Sequence, residues 1–152
     1  MTTSPVNQFY ILGIAVRTTN ENGQATKDIP QLWNRFMSEN IAAQIPNKVS
    51  DDIYCLYTDY EGDYTRPYTT ILGCRVHNLA EIPAGFTSKP VEEGEYTVFT
   101  AKGKIAEGVV FQEWQKIWST ELPRNYGTDF EVYGSKAKDP DNAAIDIFIG
   151  LK

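Results

Sequence analysis

The segment Asp129-Phe-Glu-Val-Tyr133 places one acidic side chain, Glu131, inside a short aromatic and β-branched run that reads as a strand. A carboxylate in such a strand is costly to bury unless something satisfies it. The chain also carries nine Tyr and three Trp, whose ring faces attract positive charge. Together these are the chemistry of an organic-cation site, in which rings hold a flat apolar body and the carboxylate offsets its charge. Strand alternation puts Glu131 and Tyr133 on one face. The same alternation leaves a second reading open, in which Phe130 and Val132 face the core and Glu131 faces water.

Two helical patterns would frame this strand. Ile29, Leu32, Trp33, Phe36 and Met37 recur at helical spacing after Asp28, which is suited to cap a helix starting near Ile29-Pro30. Ala106, Val110, Trp114, Ile117 and Trp118 give a second pattern between Lys104 and Thr120. Strands are expected at 9–17, 53–58, 68–76, 96–101, 130–133 and 145–151, with polar turns at 59–63 and 138–142. The order strand, helix, strand, strand therefore runs twice, over residues 8–77 and 82–152. The halves overlay by eye: Leu32-Trp33-Asn-Arg-Phe36 on Glu113-Trp114-Gln-Lys-Ile117, Asp52-Ile-Tyr54 on Asp129-Phe-Glu131, and Ile71-Leu72 on Ile147-Phe148. This predicts one α+β domain over 1–152: duplicated strand-helix-strand-strand units about a pseudo-twofold axis, an antiparallel sheet, and a ligand groove between the halves.

Composition narrows the function. A chain of 152 residues, 41% hydrophobic and 22% charged, can build a real core. A net charge of −6 without a basic cluster argues against direct nucleic-acid binding and weakly favours cationic small molecules. No apolar run reaches membrane-spanning length, and Met1-Thr-Thr-Ser-Pro-Val-Asn lacks the marks of a secretion signal. A cytoplasmic protein with no membrane partner is expected. Cys55 and Cys74 read as buried, reduced thiols on neighbouring strands. His77, the sole histidine, reads as a surface residue at a strand end, which argues against a multi-histidine metal site. Asp59-Tyr-Glu-Gly-Asp63 lacks the glycine position and distal glutamate of an EF-hand loop. Gly13 and Gly73 are isolated strand glycines and form no phosphate-binding loop. No cofactor or metal is expected.

Five segments, in their order and spacing, resemble the gyrase-inhibitor-like effector-binding domain. They are Ile82-Pro-Ala-Gly-Phe86, Tyr96-Thr-Val-Phe99 with Gly103, Trp114 through Trp118, Phe130-Glu-Val-Tyr133, and Ile145-Asp-Ile-Phe-Ile149. That family forms the ligand-sensing half of some AraC-type and MerR-type multidrug regulators and also occurs as stand-alone proteins. The resemblance spans nearly the whole chain. It departs at Gly150, where the family usually has Pro, and the change is expected to loosen the strand end. The chain begins directly at its first strand, so a stand-alone member without a helix-turn-helix is expected. In the family, the glutamate of the Phe-Glu-Val-Tyr strand faces the pocket and pairs with cationic aromatic ligands; the matching residue is Glu131.

With Glu131 as floor, the expected walls are Trp33 and Trp114 at equivalent places on the two helices, Tyr54 as repeat-mate of Glu131, and Tyr68, Tyr133 and Phe148. Burial should raise the pKa of Glu131. The leading expectation is a non-enzymatic effector-binding module for lipophilic, aromatic cations, acting as drug sensor, transcription co-regulator or sequestering protein. The alternatives are a gyrase-inhibitor-like interaction protein or a sensor lent to a separate DNA-binding regulator or enzyme. A hydrolase with Glu131 as general base ranks last, with Tyr133 or Asp146 as its available helpers.

Overall fold

The computed structural model describes residues 2–152. Its strands are β1 (Thr3–Val6), β2 (Phe9–Thr18), β3 (Ile53–Thr58), β4 (Tyr68–Val76), β5 (Thr87–Val91), β6 (Gly94–Gly103), β7 (Asp129–Tyr133) and β8 (Ala143–Gly150). Its helices are α1 (Ala25–Ser38), the single turn α2 (Ile41–Gln44) and α3 (Val109–Trp118). The six strands expected from alternation are all present. β1 and β5 went unforeseen because Pro5 and Pro90 interrupt their patterns, and both lie at sheet edges, where a missing amide is tolerated.

Both helices begin elsewhere than the sequence suggested. α1 starts before Ile29, at Ala25, so Asp28 is no cap. Its carboxylate instead accepts from the Thr18 hydroxyl (2.9 Å) and the Gln24 amide (3.0 Å), fastening the helix to β2. The second pattern is broken at Gly108, whose left-handed φ of 76° suits glycine, and α3 follows it. None of the described helices is long and apolar enough to cross a membrane.

All eight strands join one antiparallel sheet in the order β1-β6-β8-β7-β3-β4-β2-β5. The units β2-α1-β3-β4 and β6-α3-β7-β8 occupy the two halves of this order and meet at a central β3–β7 seam. The units also exchange edges: β1 precedes the first unit but pairs with β6 of the second, and β5 precedes the second but pairs with β2 of the first. This exchange dictates the curvature. In a flat sheet β1 and β2 would stand six strand spacings apart, about 29 Å. Only Asn7-Gln8 connects them, and the chain from Val6 to Phe9 reaches about 11 Å at most. Glu92-Glu93 is an equally short link from β5 to β6. The sheet must curl, and it does: Phe9 on β2 reaches Phe130 on β7, with ring centroids 5.3 Å apart.

The curled-in face carries a core of Phe9, Ile11, Leu56, Ile71, Tyr96 and Phe130. On the opposite face α1 and α2 cover Leu12, Ile14, Cys55, Leu72 and Cys74, and α3 covers Ile147 and Ile149. Gly13 and Gly73 are cross-strand partners, and neither leaves room for a Cβ, which would stand 1.9 Å from the Leu72 carbonyl oxygen or 2.3 Å from that of Leu12. Both cysteines are buried free thiols, and His77 is exposed.

The register corrects the overlay of the halves. Cys55, not Tyr54, lies opposite Glu131, while Tyr54 lies opposite Val132. A slip of one residue exchanges the faces of every side chain on a strand.

Candidate ligand-binding site

A cavity of about 340 Å³ opens between α1 and α3, above the β3–β7 seam. Its floor is Glu131, 1% exposed. Oε2 accepts from the Tyr57 hydroxyl (2.8 Å) and from the Trp114 indole N–H (2.6 Å). Oε1 accepts from the Tyr133 hydroxyl (2.7 Å). All three donors are neutral, and Glu131 takes part in no ion pair among the described residues. Burial raises the Glu131 pKa above the ordinary carboxylate value, while the bonds from Tyr133, Trp114 and Tyr57 hold back part of the rise. Burial likewise pushes the Tyr57 and Tyr133 hydroxyls well up, so both stay protonated and keep donating.

The walls follow the pseudo-twofold axis. Trp33 of the first unit meets Tyr133 of the second edge to face, at 4.8 Å and 74°. Trp114 of the second unit meets Tyr57 of the first in the same way, at 5.1 Å and 77°. Each helix therefore lends its tryptophan to the other unit's tyrosine. The symmetry breaks at its centre, where the cross-strand pair is one thiol, Cys55, and one carboxylate, Glu131.

A second carboxylate, Asp129, lies behind the lining residues Arg124 and Tyr60. Asp129 shares the strand face of Glu131, but its charge is spent within the protein. It accepts from Arg124 Nη2 (2.7 Å), the Tyr60 hydroxyl (2.7 Å) and the Gly150 backbone N–H (2.9 Å). Gly150 does not loosen the strand end as expected: it supplies an N–H that proline lacks, and that N–H holds Asp129. The Arg124–Asp129 pair is buried and self-neutralising. The cavity is left with one uncompensated carboxylate ringed by aromatic faces. Tyr64 stacks on Trp118 at its margin, with ring centroids 5.4 Å apart and planes 9° apart.

Five of the expected residues meet here: Glu131, Trp33, Tyr68, Trp114 and Tyr133 all line the cavity. Tyr54 and Phe148 do not. Tyr54 packs beside Phe9 and Phe130 on the curled-in face, and Phe148 stacks on Phe130 at 4.6 Å. The cause is the register slip, which carried both to the wrong side of the sheet. Asp146 pairs with Val132 on that same side and accepts from Thr100, away from Glu131. The sequence reading missed Tyr57, Tyr60, Tyr64, Phe111, Trp118 and Arg124. Tyr57 would have followed from the correct register, and Trp118 from its place one helical turn after Trp114. Tyr60 and Tyr64 lie in a loop, where no periodicity points inward.

Comparison with known proteins agrees with this architecture. Residues 5–151 match the family described as integron-associated effector binding protein. The solved integron cassette protein VCH_CASS2, from the mobile metagenome of Vibrio cholerae, is 30% identical with a TM-score of 0.77, over 99% of this chain and 95% of that one. SAV2435, solved bound to tetraphenylphosphonium, shares the fold with a TM-score of 0.78 at 18% identity, over 99% of this chain and 93% of that one. "Putative transcriptional regulator protein YobU" of Bacillus subtilis (strain 168) is 26% identical over 144 residues, 92% of this chain and 90% of its own length. A match that runs from the first strand to the last, in sequence as in fold, means that the chain belongs to the integron-associated effector-binding protein family, within the gyrase-inhibitor-like superfamily its sequence resembles.

Proposed function

We propose that this protein is an effector-binding module for amphipathic organic cations, serving as a sensor or a sequestering protein. The observation that carries the reading is Glu131: a buried carboxylate that no cation among the described residues neutralises, set beneath ring faces. A flat lipophilic cation would bury aromatic surface at about 25 cal/mol per Å² and gain roughly 0.5 to 2 kcal/mol per good ring contact. The tetraphenylphosphonium bound by SAV2435 belongs to the same ligand class and supports the reading. The name given to YobU favours a transcriptional output, which a separate DNA-binding partner would supply. Hydrolysis has less support, because Asp146 faces away from Glu131 and Tyr133 already donates to it.

The test uses two ions of nearly one shape and opposite charge. Tetraphenylphosphonium should bind and quench tryptophan fluorescence, since Trp33, Trp114 and Trp118 all line the cavity. Tetraphenylborate should not. Equal binding of the two would remove the electrostatic basis of the reading.

A further inference from the structure

Resting on the cation-binding reading, we infer that the cavity selects cations that carry no N–H: quaternary ammonium, phosphonium and N-alkylated heteroaromatic ions over protonated primary and secondary amines. The reason is that the cavity offers charge with few free acceptors. A carboxylate has about four lone-pair sites. Tyr133 takes one on Oε1 of Glu131, while Tyr57 and Trp114 take both on Oε2. The Cys55 thiol is its cross-strand neighbour, and one site on Oε1 is left open in a side chain that is 1% exposed. Asp129 is committed to Arg124, Tyr60 and the Gly150 N–H. Asn20 is engaged as well: its Oδ1 accepts from Tyr68 (2.7 Å) and its amide donates to the Tyr64 carbonyl (2.9 Å). What remains for a ligand N–H is at most one site on the buried Oε1 and a few hydroxyl oxygens such as those of Tyr57, Tyr133 and Thr26, which are weaker acceptors than a carboxylate.

An ammonium entering this space loses its hydrogen bonds to water and finds few replacements. A buried charged donor left unpaired is penalised heavily. An onium ion without N–H has no such bonds to lose and still feels the Glu131 charge and the ring faces. The selectivity therefore arises from how thoroughly the protein has already satisfied its own carboxylates.

The experiment uses four 2-naphthylmethyl ligands with the wild-type protein at neutral pH: the primary ammonium, its N,N,N-trimethyl derivative, and the two neutral carbon counterparts, 2-ethylnaphthalene and 2-neopentylnaphthalene. The neutral pair measures what three methyl groups gain by burial alone. The expected result is that trimethylation strengthens binding in the cationic pair by about tenfold or more beyond its gain in the neutral pair, the scale of one unmade charge-assisted hydrogen bond. An equal or smaller gain overturns the selectivity while leaving cation binding intact. Neutral ligands that bind as tightly as the cations overturn the cation reading itself. Tyr133→Phe supplies an independent arm, because it frees an acceptor site on Glu131 Oε1. The preference for the quaternary over the primary ion should then shrink several-fold, and an unchanged ratio overturns the inference.

Discussion

Replacing Glu131 by Gln keeps the shape of the floor and removes its charge. The substituted side chain can be satisfied in one orientation. Its carbonyl oxygen takes the place of Oε2 and accepts from Trp114 and Tyr57, while its amide takes the place of Oε1 and donates to the Tyr133 oxygen. Folding should therefore survive, and the loss should fall on binding. A ligand cation lying against the rings would sit about 6 Å from the carboxylate, and at an effective dielectric of about 20 the attraction is about 2 to 3 kcal/mol. Tetraphenylphosphonium affinity should drop about 30- to 160-fold, read by tryptophan quenching at pH 7.5. Wild-type binding should also weaken as pH falls through the raised Glu131 pKa, whereas the Gln variant stays flat. Stability without ligand moves in the opposite sense. A carboxyl group whose folded pKa lies above its unfolded value favours folding fully below the unfolded value and loses that contribution as pH rises through the folded one. The Gln variant should thus gain on the wild type in urea melts as pH climbs from the ordinary carboxylate range. A change in tetraphenylphosphonium affinity of less than about threefold would refute the electrostatic reasoning and leave Glu131 as an internal acceptor for its three donors.

Tyr57→Phe removes a donor that favours the ionised form of Glu131, so the pH at which cation binding fails should move upward, visible in titrations across pH 5 to 8. Phe148→Ala should cost about 1 to 3 kcal/mol in urea denaturation, since the ring is half-buried, while leaving tetraphenylphosphonium affinity nearly unchanged, because that ring stacks on Phe130 on the far side of the sheet. Arg124→Leu strands the buried Asp129 carboxylate and should destabilise by about 3 to 5 kcal/mol; adding Asp129→Asn should recover part of the loss.

Element types were legible because the main strands are runs rich in β-branched and aromatic residues bounded by polar turns, and both main helices bury one face in a regular period. Trp33 and Trp114 line the cavity from the two helices, and Glu131 and Tyr133 share the strand face that alternation gives them. What failed was phase between strands. Nothing in Ile53-Tyr-Cys-Leu-Tyr-Thr58 tells whether Tyr54 or Tyr57 faces the helices, since both faces of this sheet are buried and both accept aromatics. The hydrogen-bonded register decides it, and register is a property of two strands at once. The loop residues Tyr60 and Tyr64 reach the cavity through tertiary contacts, so local sequence held no signal for them; Arg124 and Asp129 lie five residues apart across a turn without periodicity, which gave none either.

The two short links at Asn7-Gln8 and Glu92-Glu93 give the sheet the connectivity of a laced ring. Fraying inward from a free edge is a common first step when a sheet opens. Here the free edges are strands of four and five residues, each already short of one amide at its proline. Each pairs with a strand of one unit and is tied to a strand of the other by only two residues of chain. Pulling the units apart at the seam leaves them laced together until β1 or β5 comes away whole. The cavity thus lies over a seam whose two sides stay fastened at their margins, and an edge strand must unlace before the two halves part.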